Sequence, residues 1–314
     1  EDFQNYILEE SWKQIEPLPF IWASWVWNMF DFSNDARLEG DLIDTNDKGL
    51  VTFDRKVKKD AYFFFKANWN KEPMVYLAGR RHDQRPYPAM IVKAYSNAPE
   101  ARLSIGGRDM GTAACAYGIC LWPEVPLVPG ANEAVVTARF NGQELTDKVT
   151  WTFDGVPGQY RIRAGNLVGA VDAAGSRWGS DHFFSGGAGK DRDPPAPGRG
   201  KLPPPPQPVA GTADQTGYEA YREGTFSYDL PVSNGSYRVT LHLFEPDRER
   251  KAGGRVFDVS AEGRPALRGV DPVKLAGSAW TAVQRDFTVT VKDGRLNLAF
   301  QPRQGSALVS GIEV

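Results

Sequence analysis

Residues 20–27, FIWASWVW, form an almost uninterrupted apolar run, and the chain becomes polar within a few positions after it. A continuous apolar run of this length is typical of a buried parallel strand covered on both faces. The polar stretch continues to Asn46. An apolar strand that leads into a dense polar loop is typical of a β/α-barrel strand that reaches the catalytic face. The alternative is a core strand followed by a solvated loop.

Three motifs extend this pattern: WVWNMFDF at residues 25–32, RLEGD at 37–41, and NDKGLVTFDRKVKKDAYFFFKANW at 46–69. Together they resemble the end of the catalytic barrel of glycoside hydrolase family 2, which contains β-galactosidases, β-glucuronidases and β-mannosidases. The resemblance implies that residues 1–71 are the C-terminal end of an incomplete barrel, with its eighth strand, its loop and its closing helix.

The resemblance assigns three substrate-binding residues. It implies that Trp27 forms one wall of the sugar subsite, and that Asn46 and Lys48 reach sugar hydroxyls or a carboxylate. A lysine and an amide two residues apart can converge on one carboxylate or on vicinal hydroxyls. A similar N-x-K motif binds the uronate carboxylate in β-glucuronidases. The surrounding sequences, WNMFDF, NDKGLV and KKDA, instead resemble those of the galactosidase branch.

Other side chains of this stretch are given structural roles. Trp22 and Trp25 are interpreted as packing residues. A loop-ordering ion network is predicted for Asp31, Arg37 and Asp41.

We predict no catalytic residue on this chain. Family 2 hydrolysis needs an acid/base glutamate and a nucleophilic glutamate about 5 Å apart, in a retaining mechanism. The family carries both at the ends of earlier barrel strands. The glutamates of the first 40 positions match neither motif: Glu1, Glu9, Glu10, Glu16 and Glu39. A barrel needs about 250 residues, so the expected partner is the missing N-terminal barrel portion, and the natural N-terminus is expected to precede Glu1.

Charge and composition exclude several classes of function. The 314 residues carry a net charge of −2 with both signs interspersed, which gives no electrostatic case for nucleic acid. No apolar run reaches the roughly 18 residues that span a bilayer. No cofactor and no metal site can be identified. The two cysteines, Cys115 and Cys120, are predicted to be buried free thiols, with a local disulfide as the alternative in a secreted protein.

Two helices flank the barrel strand. Residues 1–15 have a partial helical apolar face, and two prolines end the helix. A second helix is predicted over residues 56–68. The apolar face of the first contains Phe3, Tyr6, Ile7 and Ile15, and that of the second contains Val57, Ala61, Phe64 and Phe65.

From residue 72 the apolar pattern alternates. Short strands separated by Pro, Gly and Asn turns predict an immunoglobulin-like sandwich over residues 72–154. In the family 2 enzymes a similar sandwich follows the barrel and largely supports it. The alternation near Met90 places Val92 and Ala94 on one face of a strand and Ile91 and Lys93 on the other, so one face of this strand is expected to lie in a core.

Residues 155–314 resemble a malectin-like domain, a jelly-roll β-sandwich. The motifs are DxxGxxWGSD at 172–181, GTADQTGYEAYREGTFSYDLPV at 211–232, GRVFDV at 254–259 and the closing SGIEV. The Pro/Gly-rich residues 193–208 are predicted to form a long exposed loop. Asn234-Gly235 and Asp293-Gly294 are predicted to be hairpin turns.

Malectin-like domains bind carbohydrate through aromatic and polar groups on loops at one edge. The resemblance gives Trp178, Phe183, Tyr218 and Tyr221 as aromatic candidates. Where the family commonly has an aromatic pair, this chain has Pro246-Asp247-Arg248, so the domain is either a sugar-binding module or a structural one.

The sequence therefore predicts a mainly β chain with a partial α/β segment. The leading hypothesis is the C-terminal portion of a secreted or periplasmic bacterial retaining exo-β-glycosidase, most nearly a β-galactosidase acting on a β-galactoside or related glycan. The alternatives are a β-glucuronidase-type enzyme, a non-catalytic carbohydrate-binding module and a module that only supports a catalytic barrel.

Overall fold

The computed structural model describes residues 1–34, 44–192 and 207–314. Most of their regular structure is strand, so the predicted mainly β class is confirmed. The chain divides into two compact units. The first contains Glu1–Gln84 and Ala89–Phe153, and the second contains Arg85–Pro88 and the described residues from Asp154 onward. The predicted three-domain boundaries at residues 71 and 154 stay a prediction.

The first unit carries two helices ahead of a curled antiparallel sheet. The neighbours in the sheet follow the order β3-β5-β8-β7-β6-β9-β10. The elements are α1 Asp2–Ile15, β1 Phe32–Ser33, β2 Thr45–Asn46, α2 Asp60–Trp69, β3 Val75–Leu77, β4 Gln84–Arg85, β5 Ala89–Ser96, β6 Glu100–Ile105, β7 Arg108–Ala116, β8 Ile119–Pro126, β9 Gly130–Phe140 and β10 Gln143–Phe153. The sequence prediction missed β7, whose small and polar residues lack a clear alternating pattern.

The sandwich core of the first unit follows the predicted alternation. Val92 and Ala94 are buried whereas Ile91 is exposed. Val92 and Ala94 pack in one cluster with Leu103 and Trp151. Burial of apolar side chains stabilises the fold by about 25 cal/mol per Å², so this cluster holds the sheet in its curled form.

The prediction of a buried strand at residues 20–27 is wrong for this chain. The segment has no regular secondary structure. Phe20, Trp22, Trp25 and Trp27 are 75%, 89%, 81% and 71% exposed, so Trp22 and Trp25 are not packing residues here. A parallel strand needs neighbours for its backbone N–H and C=O groups, and the described residues place no strand beside this run.

Helix α1 buries a different face from the predicted one. Phe3, Tyr6 and Ile7 are exposed, whereas Asn5 and Glu9 are buried. The apolar spacing misled the prediction because a polar contact decides the orientation of the helix. Both carboxylate oxygens of Glu9 accept hydrogen bonds from Lys93 Nζ on β5, at 2.8 and 2.7 Å.

Helix α2 buries the predicted side chains. Ala61, Phe64 and Phe65 are buried, which confirms the apolar face, and the helix begins at Asp60 rather than at residue 56. Val57 therefore precedes the helix and is 39% exposed. Across the described ranges, no helix has the length and apolar character that crossing a membrane requires.

Cys115 and Cys120 form a disulfide, so the prediction of free thiols is wrong and its alternative holds. The two residues are direct partners across the hairpin of β7 and β8. Their Cα atoms are 4.1 Å apart. The hairpin register brings the thiols together, and a C-x4-C spacing alone does not specify that register.

The second unit is a sandwich of two antiparallel sheets, with the orders β11-β22-β16-β19 and β14-β15-β20-β17-β18. Its elements are β11 Arg161–Arg163, β12 Ala170–Val171, β13 Arg177–Trp178, β14 Phe184–Asp191, a 3₁₀ turn at Thr216–Tyr218, β15 Ala220–Pro231, β16 Gly235–Leu243, β17 Val256–Ala261, β18 Arg264–Val270, α3 Pro272–Ala276, β19 Val283–Val291, β20 Arg295–Gln304, β21 Ala307–Val309 and β22 Gly311–Glu313. The predicted loop at 193–208 lies mostly outside the described residues.

The two predicted hairpin turns are corners between the sheets. Asn234-Gly235 leads from β15 to β16, and Asp293-Gly294 leads from β19 to β20, and in each case the two strands belong to different sheets. The corners lie together, because Gly294 N donates to Asn234 Oδ1 at 2.8 Å. The hairpin prediction is wrong because turn residues reverse the chain without deciding which strand the next strand will pair with.

Candidate functional site

The candidate sugar subsite of the first unit is built from two segments that run side by side. Leu50 N donates to Asn28 O at 3.0 Å, and Asp31 N donates to Val51 O at 3.0 Å. Phe30 and Val51 form a parallel bridge. These bonds hold the segment after Trp27 against the segment after Lys48.

Asp31 fixes the loop between these segments. Its Oδ1 accepts hydrogen bonds from Lys59 Nζ at 2.8 Å and from Gly49 N at 2.9 Å. Lys59 Nζ also donates to Asp47 O at 2.6 Å. The side chains of Asp31 and Lys59 are 8% and 7% exposed, so this ion pair is shielded from water. Asp31 was predicted to order the loop, although with other partners: Arg37 and Asp41, like Glu39, lie outside the described residues.

Gly49 permits the close approach of the two segments. A Cβ atom at this position would lie 2.2 Å from Asp31 N and 2.3 Å from the Phe30 carbonyl carbon. Every other residue type would push the loop outward. The sequence prediction named neither Gly49 nor Lys59, although DKG within the NDKGLV motif was a signal for a tight turn.

Phe32 links Trp27 to the segment that carries Asn46 and Lys48, and we call these three predicted subsite residues the corner. The Trp27 ring meets Phe32 edge to face, with ring centroids 6.1 Å apart. Phe32 is the cross-strand partner of Asn46. Asn46 is 2% exposed and its Oδ1 accepts a hydrogen bond from Lys48 N at 3.1 Å. The corner combines an open indole with an exposed lysine on a fixed turn, which suits a ligand with an apolar face and an anionic group.

The aromatic candidates of the second unit are buried. Trp178 and Tyr218 are 4% and 3% exposed. Trp178 Nε1 donates to Asp172 Oδ2 at 3.0 Å, and the Tyr218 hydroxyl lies 3.2 Å from His242 Nδ1. Burial raises the pKa of Tyr218 to about 12. Tyr221 is also buried, with its ring edge on Phe244. None of these three rings presents an open stacking face, so their role in carbohydrate binding stays a prediction.

The malectin family, described as "Malectin domain", matches residues 162–312. Residues 162–312, just under half of the chain, are therefore similar to this family, and we call them the malectin domain below. The match coincides with the two sheets from β11 to β22, which agrees with the sandwich expected from the sequence motifs.

Three known proteins are similar to half or more of the chain, to within a few residues. A β-glucuronidase of Bacteroides fragilis is 49% identical over 152 residues, which cover 48% of this chain and 22% of that protein. The structure of a Bacteroides uniformis β-glucuronidase covers 99% of this chain and 38% of its own, at a TM-score of 0.51 and 20% identity, and shows the fold alone. A putative β-galactosidase structure from B. fragilis is 36% identical, covering 49% of this chain and 23% of its own, at a TM-score of 0.47.

The match to the curated relative spans about a fifth of that protein. The comparisons confirm the resemblance stated from the sequence: the chain is similar to part of β-glycosidases, and residues 162–312 match the malectin family. Among the residues of known position, no group of three or more His, Cys, Asp or Glu is arranged to hold a metal ion.

The malectin domain also contains a buried charge network that the sequence did not reveal. Arg255 is 1% exposed, and its guanidinium contacts Glu245 Oε2 at 2.6 Å and Glu223 Oε1 at 2.8 Å. Its Nη1 donates to Ser306 O and Oγ at 2.9 and 2.7 Å. Glu223 also accepts a hydrogen bond from Lys190. These residues come from β14, β15 and three loops, so only the folded sandwich assembles them.

The stability of the malectin domain is expected to fall in acid because of Glu223. Burial alone would raise the pKa of this carboxyl, but hydrogen bonds from Lys190, Ser306 and Arg255 lower it to about 2. A carboxyl with a lowered folded-state pKa stabilises the fold above its unfolded value of about 4.5, and this contribution disappears as the pH falls toward 2. In Glu223→Gln, the free energy of unfolding should depend less on pH in this window. Equal pH profiles in urea titrations of both proteins would contradict this expectation.

Proposed function

We propose that this chain is part of a retaining exo-β-glycosidase of glycoside hydrolase family 2 that cleaves β-glucuronides. The observation that carries the proposal is the corner of Trp27, Asn46 and Lys48, which the Asp31–Lys59 ion pair holds in place. The name of the B. fragilis relative supports the choice of glucuronide.

The corner has a distinct role for each residue. Trp27 offers a flat apolar face to the C–H face of the sugar ring. Lys48 supplies a cation for the uronate carboxylate, and the hydrogen bond from its backbone N–H to Asn46 Oδ1 fixes the turn. A charge-assisted hydrogen bond to a carboxylate is stronger than a neutral one, so this contact favours an acidic sugar over a neutral sugar.

The partner proposed for the first unit is the remaining part of the catalytic barrel, which would carry both catalytic glutamates. Large apolar side chains exposed together mark interaction surfaces. Phe20, Trp22 and Trp25 lie on one such segment. The same partner would cover the exposed face of α1, which contains Phe3 and Tyr6.

A β-galactosidase is the second candidate, because the sequence contexts WNMFDF, NDKGLV and KKDA resemble that branch. In this case Lys48 and Asn46 would contact hydroxyl groups. The two candidates differ in whether a carboxylate on the sugar increases or abolishes turnover.

The proposed compartment is secreted or periplasmic. The Cys115–Cys120 disulfide supports it, because disulfides persist mainly in oxidising compartments. The malectin domain is proposed as an accessory domain of the enzyme.

Hydrolysis of matched p-nitrophenyl β-glucuronide and β-galactoside tests the proposal. The full-length protein should have a kcat/KM for the glucuronide at least about tenfold higher, which corresponds to about 1.4 kcal/mol of transition-state discrimination. The isolated 314-residue chain should not exceed the hydrolysis blank on either substrate. Preference for the galactoside would select the second candidate, and turnover by the isolated chain would refute the assignment of the catalytic glutamates to the partner.

A further inference from the structure

One arginine of the malectin domain lies over the ring of a tryptophan. The guanidinium carbon of Arg248 lies 3.8 Å from the centroid of the Trp280 ring. Arg248 is exposed and Trp280 is half-buried. Over residues 1–34, 44–192 and 207–314, no carboxylate forms an ion pair with Arg248. A cation is thus fixed on an aromatic face while its hydrogen-bond donors remain available.

Trp280 is a rigid support for this cation. Its backbone N donates to Glu245 O at 2.9 Å, and its Nε1 donates to Pro208 O at 3.2 Å. Its ring meets Phe244 edge to face, with centroids 5.9 Å apart. A guanidinium stacked on a fixed ring has already lost much of its rotamer freedom, which lowers the entropic cost of binding a ligand.

The neighbouring acids do not neutralise Arg248. Asp247 accepts hydrogen bonds from Arg250 Nη2 at 3.3 Å and from Glu249 N at 3.1 Å. Glu245 is paired with Arg255. Asp247 and Glu245 are therefore paired with other arginines, and Arg248 faces solvent.

We propose that Arg248 and Trp280 form a binding site for a saccharide that carries a uronic acid. The planar guanidinium fork matches a carboxylate with two parallel hydrogen bonds, and the Trp280 ring beneath it keeps the fork in place. The hydroxyls of Ser278 and Thr281, 2.8 Å apart on the same turn as Trp280, supply hydrogen-bonding groups for a polyol. The choice of a sugar acid rests on the proposed function, whereas the site itself is separate from the corner of Trp27.

Calorimetric titration with two probes tests this site. The first probe is an unsulfated chondroitin tetrasaccharide with glucuronate at its non-reducing end, and the second is its carboxyl-reduced form. The intact chain should bind the acidic probe at least about tenfold more tightly than the reduced one, and the difference should shrink as the salt concentration rises. Arg248→Gln should lose this preference. Arg264→Gln, at an exposed arginine on β18, is the matched control.

Each outcome decides the proposal. Equal binding of both probes, binding of neither, or an unchanged preference in Arg248→Gln would overturn it. Arg248 is exposed, so its replacement is not expected to unfold the domain, and Trp280→Phe provides a second variant that keeps an aromatic face. Hydrolysis of the p-nitrophenyl glycosides is measured separately. If hydrolysis selects the glucuronide while binding shows no preference, only the Arg248 site fails.

Discussion

Replacing Lys48 by alanine in the full-length protein should lower kcat/KM for p-nitrophenyl β-glucuronide by about 10²-fold. The proposed contact is a charge-assisted hydrogen bond between an exposed lysine and the sugar carboxylate, and such bonds contribute about 1.5–3 kcal/mol. The effect on the corresponding β-glucoside, which lacks the carboxylate, should be within a few-fold. The measurement is the ratio of the two kcat/KM values for each variant.

Two further variants isolate the role of the charge. Lys56→Ala removes a lysine whose side chain is 81% exposed, and it should leave both substrates unaffected. Lys48→Arg keeps the cation and should retain more glucuronide activity than Lys48→Ala. An equal loss on both substrates would show that Lys48 supports the loop rather than the carboxylate, and the proposal of a uronate contact would fail.

Replacing Arg255 by methionine should destabilise the malectin domain by about 3–5 kcal/mol. Removing one partner of a buried ion pair leaves an uncompensated buried charge, and this cost is larger than the net contribution of the pair. Here the change would remove the closer cation of Glu245, which is 0% exposed, and leave it with Arg250, whose Nε lies 3.3 Å from Glu245 Oε1. Hydrogen exchange of the β16 amides, followed by mass spectrometry, measures the effect within this domain.

Matched variants separate burial from charge. Arg303→Met removes a surface arginine paired with Asp258, and it should cost less than about 1 kcal/mol. The double variant Arg255→Met with Glu245→Met should be more stable than Arg255→Met alone, because it also removes the buried carboxylate of Glu245. Equal protection of β16 in Arg255→Met and the wild type would contradict the assigned role of the network.

Features that depend on local pattern can be predicted from the sequence. Helix α2, the alternation of Val92 and Ala94 with Ile91, and the mainly β class follow from apolar periods that the chain carries residue by residue. The malectin domain at residues 162–312 was recognised from motifs whose order and spacing are specific. Trp27, Asn46 and Lys48 were named from two separate motifs, and their role in substrate binding stays a prediction.

Features that join distant parts of the chain become visible only in the folded protein. Glu9 sets the orientation of α1 through Lys93, and the close approach of Gly49 to Asp31 depends on the pairing of two separated segments. The network of Arg255 has the same origin. In each case a polar or steric contact between residues far apart in sequence outweighs the local apolar periodicity. A buried charge needs its partner, and a close backbone contact leaves no room for a Cβ atom.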